Sequence, residues 1–144
     1  MDIVSWNVNS LRARMPRVLE FLERANPDVV CLQETKVVDE LFPREVLEEA
    51  GYHVAFHGQK TYNGVAILSK TPLEQVVMGI PGTDHPEARV IAAVVEDVML
   101  LDLYVVNGKE VGCEKYDYKL EWMKDVASYV RESIPMTERV VVTG

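Results

Sequence analysis

The sequence predicts an α/β fold in which one mixed, mostly antiparallel sheet is flanked by helices. Three observations carry that reading. A strand, an amphipathic helix and a second apolar strand follow one another over residues 2–33. Five short strand patterns then succeed each other, separated by turn residues. A second long helical pattern and a final β-branched run close the chain. The 144 residues are enough for one domain, residues 1–144.

Residues 2–6 are apolar and β-branched and read as the first strand. Ser10 is placed to cap a helix over residues 11–25, with Leu11, Met15, Val18, Leu19 and Leu22 on one face. Asn26-Pro27 ends it, because the residue before a proline avoids the helical region. Residues 28–33 form a continuous apolar run, the pattern of a strand buried on both faces. If this strand runs parallel to the first, Asn7 and Glu34 emerge at the same sheet edge. A short helix is expected over residues 43–50, stopped at Gly51. Strands follow at 53–57, 64–69, 73–78, 89–95 and 98–106, with turns at Tyr62-Asn63-Gly64, Lys70-Thr71-Pro72 and Ile80-Pro81-Gly82. Residues 115–132 are helical, with Tyr118, Trp122, Val126, Tyr129 and Val130 on one face. Residues 139–144 form a last buried strand.

Composition excludes several classes. No apolar run reaches the roughly 20 residues a bilayer requires, and the first residues lack the basic-then-apolar order of a signal peptide. A cytoplasmic protein is the expectation. Cys31 lies in an apolar run and reads as a core residue. With Cys113 far away and no histidine at metal spacing, neither a zinc site nor a disulfide scaffold is expected. His53, His57 and His85 are scattered and not expected to be catalytic. The net charge of −8 is the wrong sign for a protein held on DNA by its overall field. It is compatible with a site that gathers oxygen ligands around a divalent cation.

Three strand ends carry the chemistry. Asn7 and Asn9 follow the first strand, Glu34 follows the second, and Tyr104 and Asn107 lie at the end of the strand over residues 98–106. A hard cation such as Mg²⁺ takes one or two carboxylates plus amide or water oxygens. Phosphodiester hydrolysis needs a cation on a non-bridging oxygen and a group to position the nucleophile. A tyrosine hydroxyl can donate to a phosphate oxygen. Taken singly, each residue has a plainer reading: Asn7 as a turn residue, Glu34 as a surface acid, Tyr104 as a core aromatic.

Together the motifs are more specific. The segments WNVNSLRAR (6–14), PDVVCLQETK (27–36), YHVAFHGQKTYNGVAILSK (52–70), EARVIAA (87–93), LYVVNGKE (103–110) and YKLEWM (118–123) resemble the exonuclease III/AP endonuclease branch of the endonuclease/exonuclease/phosphatase superfamily. The resemblance spans Asp2 to Gly144. It implies a four-layer αββα sandwich of which this chain supplies the N-terminal half. It implies a Mg²⁺-dependent AP endonuclease and 3′-to-5′ exonuclease, with Mn²⁺ as the alternative ion, acting on double-stranded DNA with abasic sites or 3′ ends. Glu34 resembles the metal-ligating glutamate, Asn7 the asparagine supporting metal and phosphate, and Tyr104 the tyrosine on the scissile phosphate. Arg12, Tyr62, Asn63, Arg89 and Lys119 are implied DNA contacts.

Two departures stand out. Val105 occupies a position where the family usually has proline, which frees a backbone angle. The family also continues past a glycine like Gly144 into Gly-Asp-X-Asn, whose aspartate and later partners supply the base. The chain is therefore expected to be a half-domain truncated before that motif, weak or inactive alone. Its inner sheet face, including Val4, Val30, Leu32, Val65, Ile67 and Val141, is expected to meet water and drive self-association or pairing with the missing C-terminal half. The competing readings are a superfamily cousin acting on other phosphodiesters and a non-catalytic half-domain that dimerises or binds a complementary half.

Overall fold

A computed structural model describes residues 1–133 and 139–144. The first strand, β1 (Ile3–Asn7), leads into α1 (Leu11–Ala25), and β2 (Val29–Gln33) returns beside β1. Ser10 caps α1 by accepting from the backbone N–H of Ala13, and Asn26 closes it in the left-handed region. The parallel register sets Asn7 opposite Gln33. A short helix, α2 (Arg44–Glu49), precedes β3 (His53–His57), β4 (Val65–Ser69), β5 (Leu73–Met78), β6 (Val90–Val95) and β7 (Val98–Leu103). The long helix α3 (Glu114–Ser133) and β8 (Arg139–Thr143) complete the order.

The strands form two four-stranded sheets, β1-β2-β4-β3 and β5-β6-β7-β8, rather than the single sheet expected. Each is mixed: β1/β2 and β7/β8 are parallel and the other pairs antiparallel.

Side-chain alternation explains the stacking. Val30, Leu32, Ala66 and Leu68 point from the first sheet toward α1 and α2, where they meet Leu11, Val18, Leu22 and Leu47. The intervening residues Val29, Cys31, Val65 and Ile67 point the other way and pack on Ile91, Ala93, Val95 and Leu100 of the second sheet. Val90, Ala92, Leu101 and Leu103 then turn outward to Trp122, Val126 and Tyr129 of α3. The chain thus contains all four layers, helix on sheet on sheet on helix.

This corrects the expectation of an exposed inner face. Val30, Leu32, Val65 and Ile67 are fully buried, and Val4 and Val141 pack against the cores as partly buried residues. Each sheet has the other as its packing partner.

Candidate active site

The loops after β1, β2 and β7, with the loop entering β4, meet at one end of the sandwich. Backbone hydrogen bonds stitch them together. Ser10 and Leu11 donate N–H groups to the carbonyls of Glu34 and Thr35 at 2.8 and 3.1 Å. Thr35 and Lys36 donate to Gly64 and Asn63 at 3.2 and 2.9 Å, and Gly64 donates to Ala88 at 2.8 Å. Tyr104 donates to Arg89 at 2.8 Å. Seven non-glycine residues in these loops, Asn9, Ser10, Glu34, Lys36, Thr61, Asn63 and Lys109, have positive φ. Such backbone angles cost energy and persist where surrounding structure over-determines them.

The loops bring Asn7, Glu34 and Tyr104 together. Asn7 Nδ2 donates to Glu34 Oε1 at 3.2 Å, while Asn7 Oδ1 accepts the Asn9 N–H at 3.1 Å. Lys36 Nζ lies 3.5 Å from Glu34 Oε2 and donates to Asn9 Oδ1 at 2.7 Å. Burial pushes the Glu34 carboxyl up, but the Tyr104 hydroxyl, the Asn7 amide and the Lys36 ammonium together hold it below its ordinary value. Burial first, and then the neighbouring Glu34 carboxylate, push the Tyr104 phenol up to about 12. It therefore stays protonated at neutral pH, with an O–H available to donate. Ser5, Asn7, Gln33, Tyr104, Val105 and Gly144 line the adjoining cleft.

The expected flanking residues have different fates. Arg12 is exposed on the first turn of α1, and Tyr62 is 67% exposed at a loop tip. Asn63 is buried, its amide spent on Gln59 Oε1 at 3.1 Å, so it shapes the loop. The Arg89 guanidinium lies 4.8 Å from the centroid of the Tyr104 ring and donates to the Tyr104 and Val105 carbonyls at 3.2 and 3.4 Å. It also pairs with Glu87. The Lys119 stem packs over Gly108, where an added Cβ would meet its Cδ at 3.0 Å. His85 pairs with Asp125 of α3 at 2.6 Å and packs edge-on against Tyr118. Lys36, not among the site residues the sequence analysis singled out, contacts Glu34. The clue lay in its place two residues after that acid.

Whether these residues suit a divalent cation turns on donor chemistry. Among the described residues no cluster of three His, Cys, Asp or Glu side chains exists. One carboxylate, Glu34, is held ionised beside an amide and a phenol. Mg²⁺ commonly binds through one or two carboxylates, with water or phosphate filling its other positions. The donor set fits such an ion.

A model of the endonuclease/exonuclease/phosphatase family matches residues 4–144. The chain belongs to this family. An exodeoxyribonuclease of Bacillus subtilis is 37% identical over 149 residues, covering 100% of this chain and 57% of the relative. Among solved structures, a 3′-5′ exonuclease from Neisseria meningitidis superposes with a TM-score of 0.95 at 40% identity, over 99% of this chain and 56% of the other. An AP endonuclease from Archaeoglobus fulgidus gives 0.94 at 36%, over 99% and 55%. The chain spans about half the length of the curated relatives it matches. These family relatives share the sandwich described above, and the motif segments that carried the resemblance lie inside the matched region. Among the described residues of this family member, no helix is long and apolar enough to cross a membrane.

Proposed function

We propose that the chain is the N-terminal half of a divalent-metal-dependent DNA-repair phosphodiesterase. Its reactions would be incision at abasic sites and 3′-to-5′ exonuclease action on double-stranded DNA. The observation that carries this reading is the convergence of Asn7, Glu34 and Tyr104 from three strand ends in two sheets. Relatives named as exodeoxyribonucleases and an AP endonuclease point to the same substrate class.

In this reading Glu34 and Asn7 would hold Mg²⁺ or Mn²⁺. When bound, the ion would draw negative charge from a non-bridging phosphate oxygen. Tyr104, held protonated, donates its hydroxyl hydrogen bond to a phosphate oxygen. Arg89 holds the Tyr104 ring and its loop. Lys36 keeps Glu34 ionised. Arg12, Tyr62 and Lys119 contact the DNA backbone, Asn63 contributes through the loop it shapes, and the negative overall charge leaves binding to these local groups. The base and the remaining metal contact come from the second half of the family fold, beyond a Gly-Asp-X-Asn motif that would begin at Gly144.

The test is incision of an abasic-site duplex with Mg²⁺, comparing this chain with the chain extended through that second half. Cutting by the extended form alone, abolished by Glu34→Ala, supports the reading. Cutting by this chain alone overturns the assignment of the base to the second half. No cutting by either form removes the DNA-repair assignment and leaves a non-catalytic half-domain.

A further inference from the structure

A group of polar side chains lies between the two sheets, directly beneath the cleft, and the chemistry above does not use it. Asp102 of β7 is fully buried. Gln33 Nε2 donates to Asp102 Oδ1 at 2.7 Å, the shortest of its three contacts. Thr143 Oγ1 donates to the same oxygen at 3.2 Å. The second oxygen, Oδ2, is buried with no partner. None of the ion pairs among the described residues involves Asp102.

A buried carboxylate with one oxygen bare and no cation nearby is strongly disfavoured, whereas the neutral acid avoids that penalty. Burial accordingly pushes Asp102 up to about 8, against the opposing hydrogen bonds from Gln33 and Thr143 and a weaker one from the Ala66 backbone N–H, too poorly placed to satisfy Oδ2. The surroundings carry no charge. From β2 comes Cys31, whose thiol burial pushes up to about 12, together with Gln33. β1 contributes Ser5, which accepts from Gln33; β8 contributes Thr143; β4 contributes the Ala66 backbone.

The position of the cluster gives it a purpose. Gln33 immediately precedes Glu34, and Thr143 immediately precedes Gly144. These two strand ends belong to different sheets and face each other across the cleft. We propose that Asp102 is a positioning residue: a neutral acid that latches Gln33 to Thr143 and so fixes the Glu34 loop relative to the end of β8. This rests on the proposed function only in giving the Glu34 loop a catalytic job.

The experiment is NMR of this chain, with the wild type, Asp102→Asn, Asp102→Val and Thr143→Val compared, alongside thermal unfolding across pH and titration with MnCl₂. The Asp102 carboxyl carbon should report the protonated form near neutral pH. Its folded-state pKa lies above the unfolded value. The folded state therefore holds the extra proton between the ordinary aspartate range and about 8, and stability is lost as pH rises through that window. Asp102→Asn should remove that loss and leave the Glu34 and Gly144 amide resonances in place. Asp102→Val and Thr143→Val should displace both amides and weaken Mn²⁺ binding several-fold.

An ionised Asp102 below pH 7 overturns the proposal, as do Val variants that leave both amides and Mn²⁺ binding unchanged. Should Asp102→Val fail to fold, Thr143→Val and the wild-type carboxyl resonance decide. Wild-type protein that binds no Mn²⁺ while Thr143→Val still moves Glu34 and Gly144 would sink the metal reading and keep the latch.

Discussion

Tyr104 and Glu34 each widen the pH range over which the other keeps its neutral-pH form. Burial and the Glu34 carboxylate keep the phenol protonated, and the phenol, with Asn7 and Lys36, keeps the carboxyl ionised despite its own burial. Removing the phenolic oxygen with Tyr104→Phe leaves the ring on Arg89 and deletes the donor proposed to meet the phosphate. In the chain extended through the proposed second half, abasic-site incision should fall by about 10²- to 10³-fold in kcat, the range seen when one transition-state donor is lost. A fall confined to KM would show that Tyr104 binds substrate without acting on the reacting phosphate. Glu34 sets a pH dependence of definite sign. Its folded-state pKa is below the unfolded value, so the ionised form contributes stability above the unfolded value, and this is lost as pH falls through the folded one. Mn²⁺ binding should persist into the lower part of the ordinary glutamate range. Lys36→Ala should move the acid limb upward, which a Mn²⁺ titration at several pH values reads directly.

At the scale of elements, the site is held by junctions more than by strands. Gly64 joins the loop entering β4 to the Glu34 loop. It has φ +97°, and a Cβ there would meet Thr35 Oγ1 at 2.0 Å. Gly64→Ala should therefore destabilise the chain by about 3 kcal/mol through backbone strain and a clash together, visible as a lower urea midpoint. Ser10→Ala, which deletes only the α1 cap, should cost about 1 kcal/mol. Strands and helices were legible because their signals are local: the face of Leu11, Val18 and Leu22, the apolar run ending at Gln33, the stop at Gly51. Sheet membership was not. Lys70-Thr71-Pro72 separates β4 from β5 as a hairpin turn would, yet β4 pairs with β2 and β3 while β5 leaves for the other sheet. Hydrogen-bonding partners of antiparallel strands are chosen by long-range packing, which periodicity does not record. Asp102 was overlooked for a related reason. A lone acid in the run VMLLDL is a local anomaly, but its partners Gln33 and Thr143 are distant in sequence.

For the whole molecule, the two-sheet core changes where association should occur. The inner faces bury each other, so the bare surface is an edge. Among the described residues, β1 and β8 each have one neighbour and stand last in their sheets. Ile3 of β1 and Val141 of β8 pack on the same inter-sheet cluster, which places both edges on one side of the sandwich. Unpaired N–H and C=O groups along such edges template the addition of further strands, and Val142 on β8 adds a half-exposed apolar side chain. We propose that this side is where the second half of the family fold docks, and that the isolated chain pairs with itself there. Light scattering at tens of micromolar should show a species larger than a monomer, and addition of the second half as a separate chain should replace it with a one-to-one complex. A stable pairing has to bury roughly 1,200 Å² or more in total, so a proline placed in β8 at Val141, which removes a ladder donor and distorts that edge, should shift the self-associated form toward monomer. A wild-type chain that remains monomeric would show that these edges are protected against strand addition.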